Sequence, residues 1–143
     1  MLLDFVFKQL STTKEFTENQ QNLIVNKLLD RYVNILNQSN TRIDFDVTFF
    51  DMNSFSLMAI INSGSITIEK VKGRYYLIYK ASYKRAFILA SIMSFIFGLL
   101  SQSFGTFLLA FTFLFGGNIL IAYFRHDSFF SLLMKDLRTV TKH

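Results

Sequence analysis

The 143-residue chain has no cysteine, no proline and no tryptophan, and only two histidines, His126 and His143. Without cysteine, disulfide scaffolds, thiolate zinc sites, iron–sulfur ligation and cysteine nucleophiles are excluded together. Two histidines leave metal and acid–base chemistry little to work with. Charge is also scarce: 17% of residues are charged, against about a quarter in an ordinary soluble domain. Hydrophobic residues make up 51%, and the mean hydropathy is +0.33. Disordered chains are poorer in apolar side chains, so disorder is excluded and membrane residence is indicated. The length suits one or two small domains.

The scarcity of charge is concentrated. From Ala86 to Phe124 there are 39 residues with no ionisable side chain except Tyr123. One crossing of a ~30 Å hydrocarbon layer needs about 20 apolar residues. As helix the tract would reach roughly 58 Å at about 1.5 Å per residue, which is two crossings with little left for a loop. Its one polar cluster, Ser101-Gln102-Ser103-Phe104-Gly105, is the natural turn. The expectation is a transmembrane hairpin over residues 83–124, with helices over 83–100 and 104–124. A buried hairpin in a soluble protein would need a larger body than the rest of the chain can form, because both helices are apolar on every face. A re-entrant or monotopic hairpin is the other alternative.

The flanks set the orientation. Lys80, Lys84 and Arg85 precede the first span, Arg125 follows the second, and the turn is uncharged. Basic residues at both outer ends place both chain ends in the cytoplasm, in a multi-pass protein of the inner (plasma) membrane. Tyr79, Tyr83 and Tyr123 stand where an aromatic belt would, and His126, between Arg125 and Asp127, reads as an interface residue. The first ten residues do not read as a secretion signal, since they lack a basic start and are interrupted by Asp4.

Within the first span Ala86, Ala90, Ser94 and Gly98 recur every four residues. Such a small-residue stripe lets helix backbones approach closely in lipid. It fits packing onto the second helix or packing between protomers of a homo-oligomer. Phe107, Phe111 and Phe115 form a bulky stripe that either faces lipid or slots beside the small one. Asn118 and Gln102 are the intramembrane polar residues, and Gly116-Gly117 is a candidate bend. With no Asp, Glu, Lys, Arg or His inside the spans, proton-relay, ion-pair-coupled and voltage-sensing mechanisms lack their parts.

Residues 1–82 read as a cytosolic α+β domain, a long helix on a four-stranded antiparallel meander. Leu2, Leu3, Val6 and Leu10 have helix-like spacing. Thr12-Thr13-Lys14-Glu15 matches a capping box for a helix over residues 13–38, with Val25, Leu28, Leu29, Tyr32, Val33 and Leu36 as its buried face. Ile43, Phe45, Val47 and Phe49 then alternate with polar residues as a strand, followed by strands at Phe55–Ile61, Ile66–Val71 and Arg74–Lys80. Turn-like Asn62–Ser65 and Lys72-Gly73 separate the last three. Residues 125–143 read as a short amphipathic C-terminal helix capped by Asp127-Ser128, carrying Phe130, Leu133, Leu137 and Val140. It either docks on the cytosolic domain or lies on the bilayer.

Charge is uneven. Residues 1–51 carry five basic and seven acidic side chains, and residues 69–85 carry six basic and one acidic. The basic run reads as a positive-inside flank attracting anionic lipid head groups. Its interleaving with Tyr75, Tyr76 and Tyr79 also offers phosphate contacts and stacking to nucleic acid. Catalytic signals are absent: Asp44, Asp46 and Asp51 could hold a divalent cation through oxygen ligands but read better as a solvated strand face. Gly64 and Gly73 are isolated turn residues rather than a phosphate loop. The sequence predicts a non-enzymatic protein without a cofactor.

In layout, a compact cytosolic domain joined to an uncharged hairpin, the chain resembles the small two-transmembrane effector proteins of bacterial antiviral defence systems. The resemblance implies that the cytosolic domain docks a partner or senses a signal, and that the hairpin self-associates to perturb the membrane. It also implies a silent state held by a partner complex, through which alone nucleic acid would be met. The alternative is a structural membrane-anchor subunit that ties a larger complex to the membrane through residues 1–80.

Overall fold

The computed structural model describes residues 3–31, 33–47 and 63–140. It is a mixed α+β fold, with one antiparallel sheet and an apolar helical hairpin. Among the described residues the sheet has five strands in the order β1-β5-β4-β3-β2: β1 Asp4–Leu10, β2 Val33–Gln38, β3 Arg42–Val47, β4 Ser63–Val71 and β5 Arg74–Ser82. The expected strand Phe55–Ile61, the end of the expected strand at Phe49, and Asp51 lie outside the described residues.

Two segments expected to be helical are strands. In β1, Phe5 and Phe7 point into the core while Val6 and Lys8 point out. This two-residue alternation overrides the helix-like spacing of Leu3, Val6 and Leu10. β1 pairs along its whole length with β5, Asp4 opposite Ser82 and Leu10 opposite Tyr76. The expected helix over 13–38 is instead α1, Glu18–Leu29, followed by β2. Its capping box is not Thr12/Glu15 but Thr17/Gln20: the Thr17 hydroxyl accepts from the Gln20 amide at 3.3 Å, and the Gln20 side chain accepts from the Thr17 amide at 3.0 Å. Three residues separate donor and acceptor in both readings, so spacing alone did not distinguish them. α1 stops at Asp30, and Val33 and Ile35 then go to the sheet, pairing with Val47 and Phe45.

The hairpin is closer to expectation. α2, Lys84–Ser101, follows β5 after the single residue Tyr83, and α3, Phe104–Phe111, begins after a two-residue turn. Gln102 closes α2 in the left-handed conformation (φ 49°), and the Ser103 hydroxyl accepts from the Thr106 amide to start α3. At Thr112–Gly117 the helix widens to a π-helical segment, which then runs into α4, Asn118–Val140. The glycine pair expected to bend the helix belongs to this segment. Both α2 and the 37-residue run Phe104–Val140 are long and apolar enough to cross a membrane.

The separate C-terminal helix capped by Asp127-Ser128 is not found. α4 passes straight through both residues, because Ala122, His126, Phe129, Phe130, Leu133, Met134 and Leu137 form one uninterrupted buried face. Asp127 and Ser128 are exposed, so their polar groups stay in water. Poor helix formers at two exposed positions cost well under ~1 kcal/mol each, whereas burying each large apolar side chain contributes about 1.5–3 kcal/mol.

The core lies on one face of the sheet. Strand residues Phe7, Ile43, Phe45, Ile66, Leu77 and Tyr79 meet Ile24 and Leu28 of α1 and Phe130, Leu133 and Leu137 of α4. Lys27 and Asp136 form an ion pair at 2.6 Å between α1 and α4. The distal half of the second hairpin helix is therefore part of the domain core.

Candidate functional site at the junction of sheet and hairpin

Two connections join the hairpin to the sheet: β5 running into α2, and α4 packing across β1 and β5. Between them lies an aromatic cluster. Phe5 is 4.7 Å from Tyr83, 5.7 Å from Tyr123 and 5.9 Å from His126, between ring centres. Tyr79 stacks on Phe7, Phe45 and Phe130. Its hydroxyl oxygen lies 2.8 Å from His126 Nδ1. His126 is fully buried and its Nε2 has no hydrogen-bond partner. Burial alone lowers its pKa to about 4, so the ring is neutral at pH 7, and burial also raises the Tyr79 phenol.

These positions correct two expectations. Tyr79 is not part of an interfacial belt but a fully buried core side chain, and His126 is not an exposed interface residue but the polar centre of the junction. The signal for Tyr79 was present: in an alternating strand it shares a face with Leu77 and Tyr75, the inward one. Nothing in sequence spacing linked it to His126, which is 47 residues away.

The small-residue stripe of α2 meets the Phe stripe of the return helix. Ala90 and Ser94 are the buried residues of α2. A Cβ on Gly98 would stand 2.9 Å from Phe107 Cβ, and Phe87 meets Phe111 and Phe115 edge-on at 5.8 and 5.3 Å. Phe107, Phe111 and Phe115 stack in series. Ala86, at the start of the stripe, is half-buried. The Ser94 hydroxyl is buried without a partner, unlike Ser91, which donates to the Phe87 carbonyl at 2.8 Å. Asn118 is exposed and donates to the Leu114 carbonyl of its own helix at 2.7 Å, while Gln102 is exposed at the hairpin tip.

The basic residues divide. Arg85 donates to the Val47 carbonyl at 2.9 Å and lies 4.0 Å from Asp46, and Lys80 lies 3.7 Å from Glu69. Lys84 and Arg125 are exposed at the start of α2 and on α4. Lys70, Lys72 and Arg74, by contrast, sit on the β4–β5 turn at the other end of the sheet. Eight strand steps separate Arg74 from Ser82, roughly 26 Å at about 3.3 Å each. Half of the basic run 69–85 thus stands away from the apolar helices, and only Lys80, Lys84 and Arg85 flank them. The rings of Tyr76 and Tyr75 carry Lys8 and Lys70 over their faces at 4.1 and 5.8 Å, which occupies surfaces that stacking would use.

Of the carboxylates weighed for a cation, Asp44 takes both of its oxygens to Arg42 Nε at 2.8 Å, and Asp46 accepts from the Val47 amide at 2.8 Å. Among the described residues no group of three His, Asp or Glu side chains could hold a metal ion. No protein-family model matches the chain, and neither a curated protein nor a solved structure matches it.

Proposed function

We propose that the chain is a two-span inner (plasma) membrane protein with both ends cytoplasmic, whose hairpin anchors and orients a non-catalytic, partner-docking α+β domain. The observation that carries this reading is the pair of connections between hairpin and sheet. β5 enters the first helix after one residue, and the second returns as α4 into the same core. The outward apolar side chains between them are uncovered: Leu100 is 78% exposed, Phe113 77% and Phe104 73%. A contiguous apolar surface of this kind belongs in lipid or against a partner. Anionic head groups would meet Lys84 and Arg125.

The effector reading, in which protomers associate and the membrane is perturbed, draws support from one observation. Asn118 is an exposed amide on an apolar helix, beside the π-helical segment, and its nitrogen donates to the Leu114 carbonyl. The Ala86/Ala90/Ser94/Gly98 stripe lies against the companion helix, so self-association would run through the Asn118 face. The anchor reading is favoured because it needs no such additional interface.

Reporters fused to each chain end test the topology, and both are expected in the cytoplasm; a split result rejects the reading. Affinity purification of the full chain in mild detergent is expected to return a stoichiometric protein partner. Recovery of free protein alone, with loss of membrane potential on overexpression, would favour the effector.

A further inference from the structure

The sheet face turned away from α1 and α4 carries an open groove of about 450 Å³ at the end nearest the hairpin. Asp4, Ser63, Ser65, Lys80, Ser82 and Lys84 line it. The strand register assembles them: Ser82 stands opposite both Asp4 and Ser63, and Lys80 opposite Ser65. Arg42 and Asp44 border the groove and satisfy each other through two 2.8 Å contacts. Lys80 reaches along the sheet to Glu69 at 3.7 Å, so the Lys84 ammonium and the Asp4 carboxylate set the remaining charge.

Three observations point to a ligand with a phosphate. The Ser82 hydroxyl is buried and has no hydrogen-bond partner, although Asp4 and Ser63 are its neighbours in register. The amides of the first turn of α2 have no side-chain cap, because Tyr83 makes no capping bond, and such amides favour anions. Lys84, the first residue of α2, is exposed at the groove. Depth adds a fourth constraint. The uncharged tract begins at Ala86, two residues beyond Lys84, so the groove opens at the level where a bilayer places its phosphates. Asp4 then makes the site unsuited to a purely anionic head group and suited to one that also carries an ammonium with N–H donors.

We propose that this groove binds the head group of an aminophospholipid, a phosphodiester bearing a primary ammonium, as in phosphatidylethanolamine. The phosphate oxygens accept from Lys84 and the Ser82 hydroxyl, and the ammonium donates to Asp4. The proposal rests on the bilayer-spanning reading of the hairpin. It explains why an acidic residue and an unpaired hydroxyl stand on a basic membrane flank.

The test uses the full chain. Flotation with vesicles of phosphatidylcholine alone first establishes bilayer insertion. A chain that does not float removes the membrane reading, and this proposal with it; a chain that floats leaves the groove to be tested separately. Short-chain phosphatidylethanolamine, phosphatidylglycerol and phosphatidylcholine are then titrated into delipidated protein in neutral detergent, and bound lipid is counted by native mass spectrometry. Phosphatidylethanolamine is expected to bind roughly tenfold more tightly than phosphatidylcholine, which has no N–H for Asp4. Lys84→Gln and Ser82→Ala should each weaken it several-fold, and Asp4→Asn should erase its advantage over phosphatidylglycerol. These substitutions lie outside the core, and an unchanged melting temperature identifies variants that remain folded. Equal binding of the three lipids, tighter binding of phosphatidylglycerol to the parent chain, or equally tight binding of free glycerophosphoethanolamine would each overturn the proposal.

Discussion

The buried His126 makes the junction between sheet and hairpin acid-sensitive by a predictable amount. In the unfolded chain its imidazole titrates near 6.5, and in the fold burial lowers this to about 4. Above pH 6.5 the ring is neutral in both states and costs nothing. Below it the unfolded chain binds a proton that the folded chain refuses, so stability falls with pH until about pH 4, where both states are protonated. Each pH unit in this window removes about 1.4 kcal/mol. A drop from pH 6.5 to 5 thus removes about 2 kcal/mol, and by pH 4 the loss is about 3 kcal/mol. Against the roughly 5–15 kcal/mol that holds an ordinary domain together, this loosens the docking of α4 on β1 and β5. The assay is unfolding of the full chain in neutral detergent, followed by tyrosine circular dichroism at pH 7, 6, 5 and 4. His126→Phe keeps a ring against Phe5 and Tyr79 while removing the proton site, and His126→Gln removes the site with a smaller polar group. Both variants are expected to lose far less stability than the parent between pH 7 and 5. Equal losses in parent and variants, or a parent that is flat over this range, would refute the reasoning.

Three further perturbations probe other parts of the fold. Gly98→Leu drives a side chain into Phe107 and should destabilise the hairpin by about 1–3 kcal/mol, read as a fall in melting temperature at protein dilutions where the chain is monomeric; weakened crosslinking between copies with an unchanged melt would instead place the stripe between protomers. Gly64→Ala puts a Cβ into the Phe45 ring and the Lys80 carbonyl, so that variant should lose at least ~1–3 kcal/mol and accumulate poorly; normal yield and melting would show that the contact yields easily. Lys72 and Gly73 both have positive φ, 50° and 80°, the two-residue turn that favours Asn-Gly. Lys72→Asn should therefore stabilise the domain by a few tenths of a kcal/mol to about 1 kcal/mol, measured by chemical unfolding, and a destabilised variant would contradict the turn assignment.

The parts of the fold legible in the sequence were those in which local composition and final environment agree. The uncharged tract gave both ends of α2 and the start of α3 within a residue or two, since nothing distant is needed to make an apolar helix. The alternation of Ile43, Phe45 and Val47 gave β3 for the same reason. What was hidden depended on partners far along the chain. Val33 to Leu36 carries apolar residues compatible with the period of α1, and only pairing with β3 settles them as a strand, with a register shift between Ile35 and Asn37 to absorb the mismatch. Phe5 and Phe7 are inward because β5 lies beside them and α4 lies over them. The groove was invisible for a like reason: Asp4, Ser63 and Ser82 are distant in sequence and meet only through two strand pairings.

The most consequential misreading was the boundary after Arg125. A charged run following an apolar span reads as a return to water, and Asp127-Ser128 reads as a new start, yet the helix does neither. Its polar residues occupy one side while Ala122, His126, Phe129 and Leu133 keep a single buried face across the boundary. That continuity joins mechanics to position. The companion helix α2 packs against α3 and the π-helical segment, α4 packs against the sheet and α1, and β5 holds α2 to the same body. A change of tilt in the hairpin cannot be absorbed at either connection, because one is a single residue and the other is an unbroken helix. The compliant element is the π-helical segment Thr112–Gly117, whose wider turns form poorer backbone hydrogen bonds than the α-helix on either side. Of the two routes from the hairpin tip to the sheet, α2 is unbroken and the return helix is softened at this one segment, beyond which α4 is packed into the domain core.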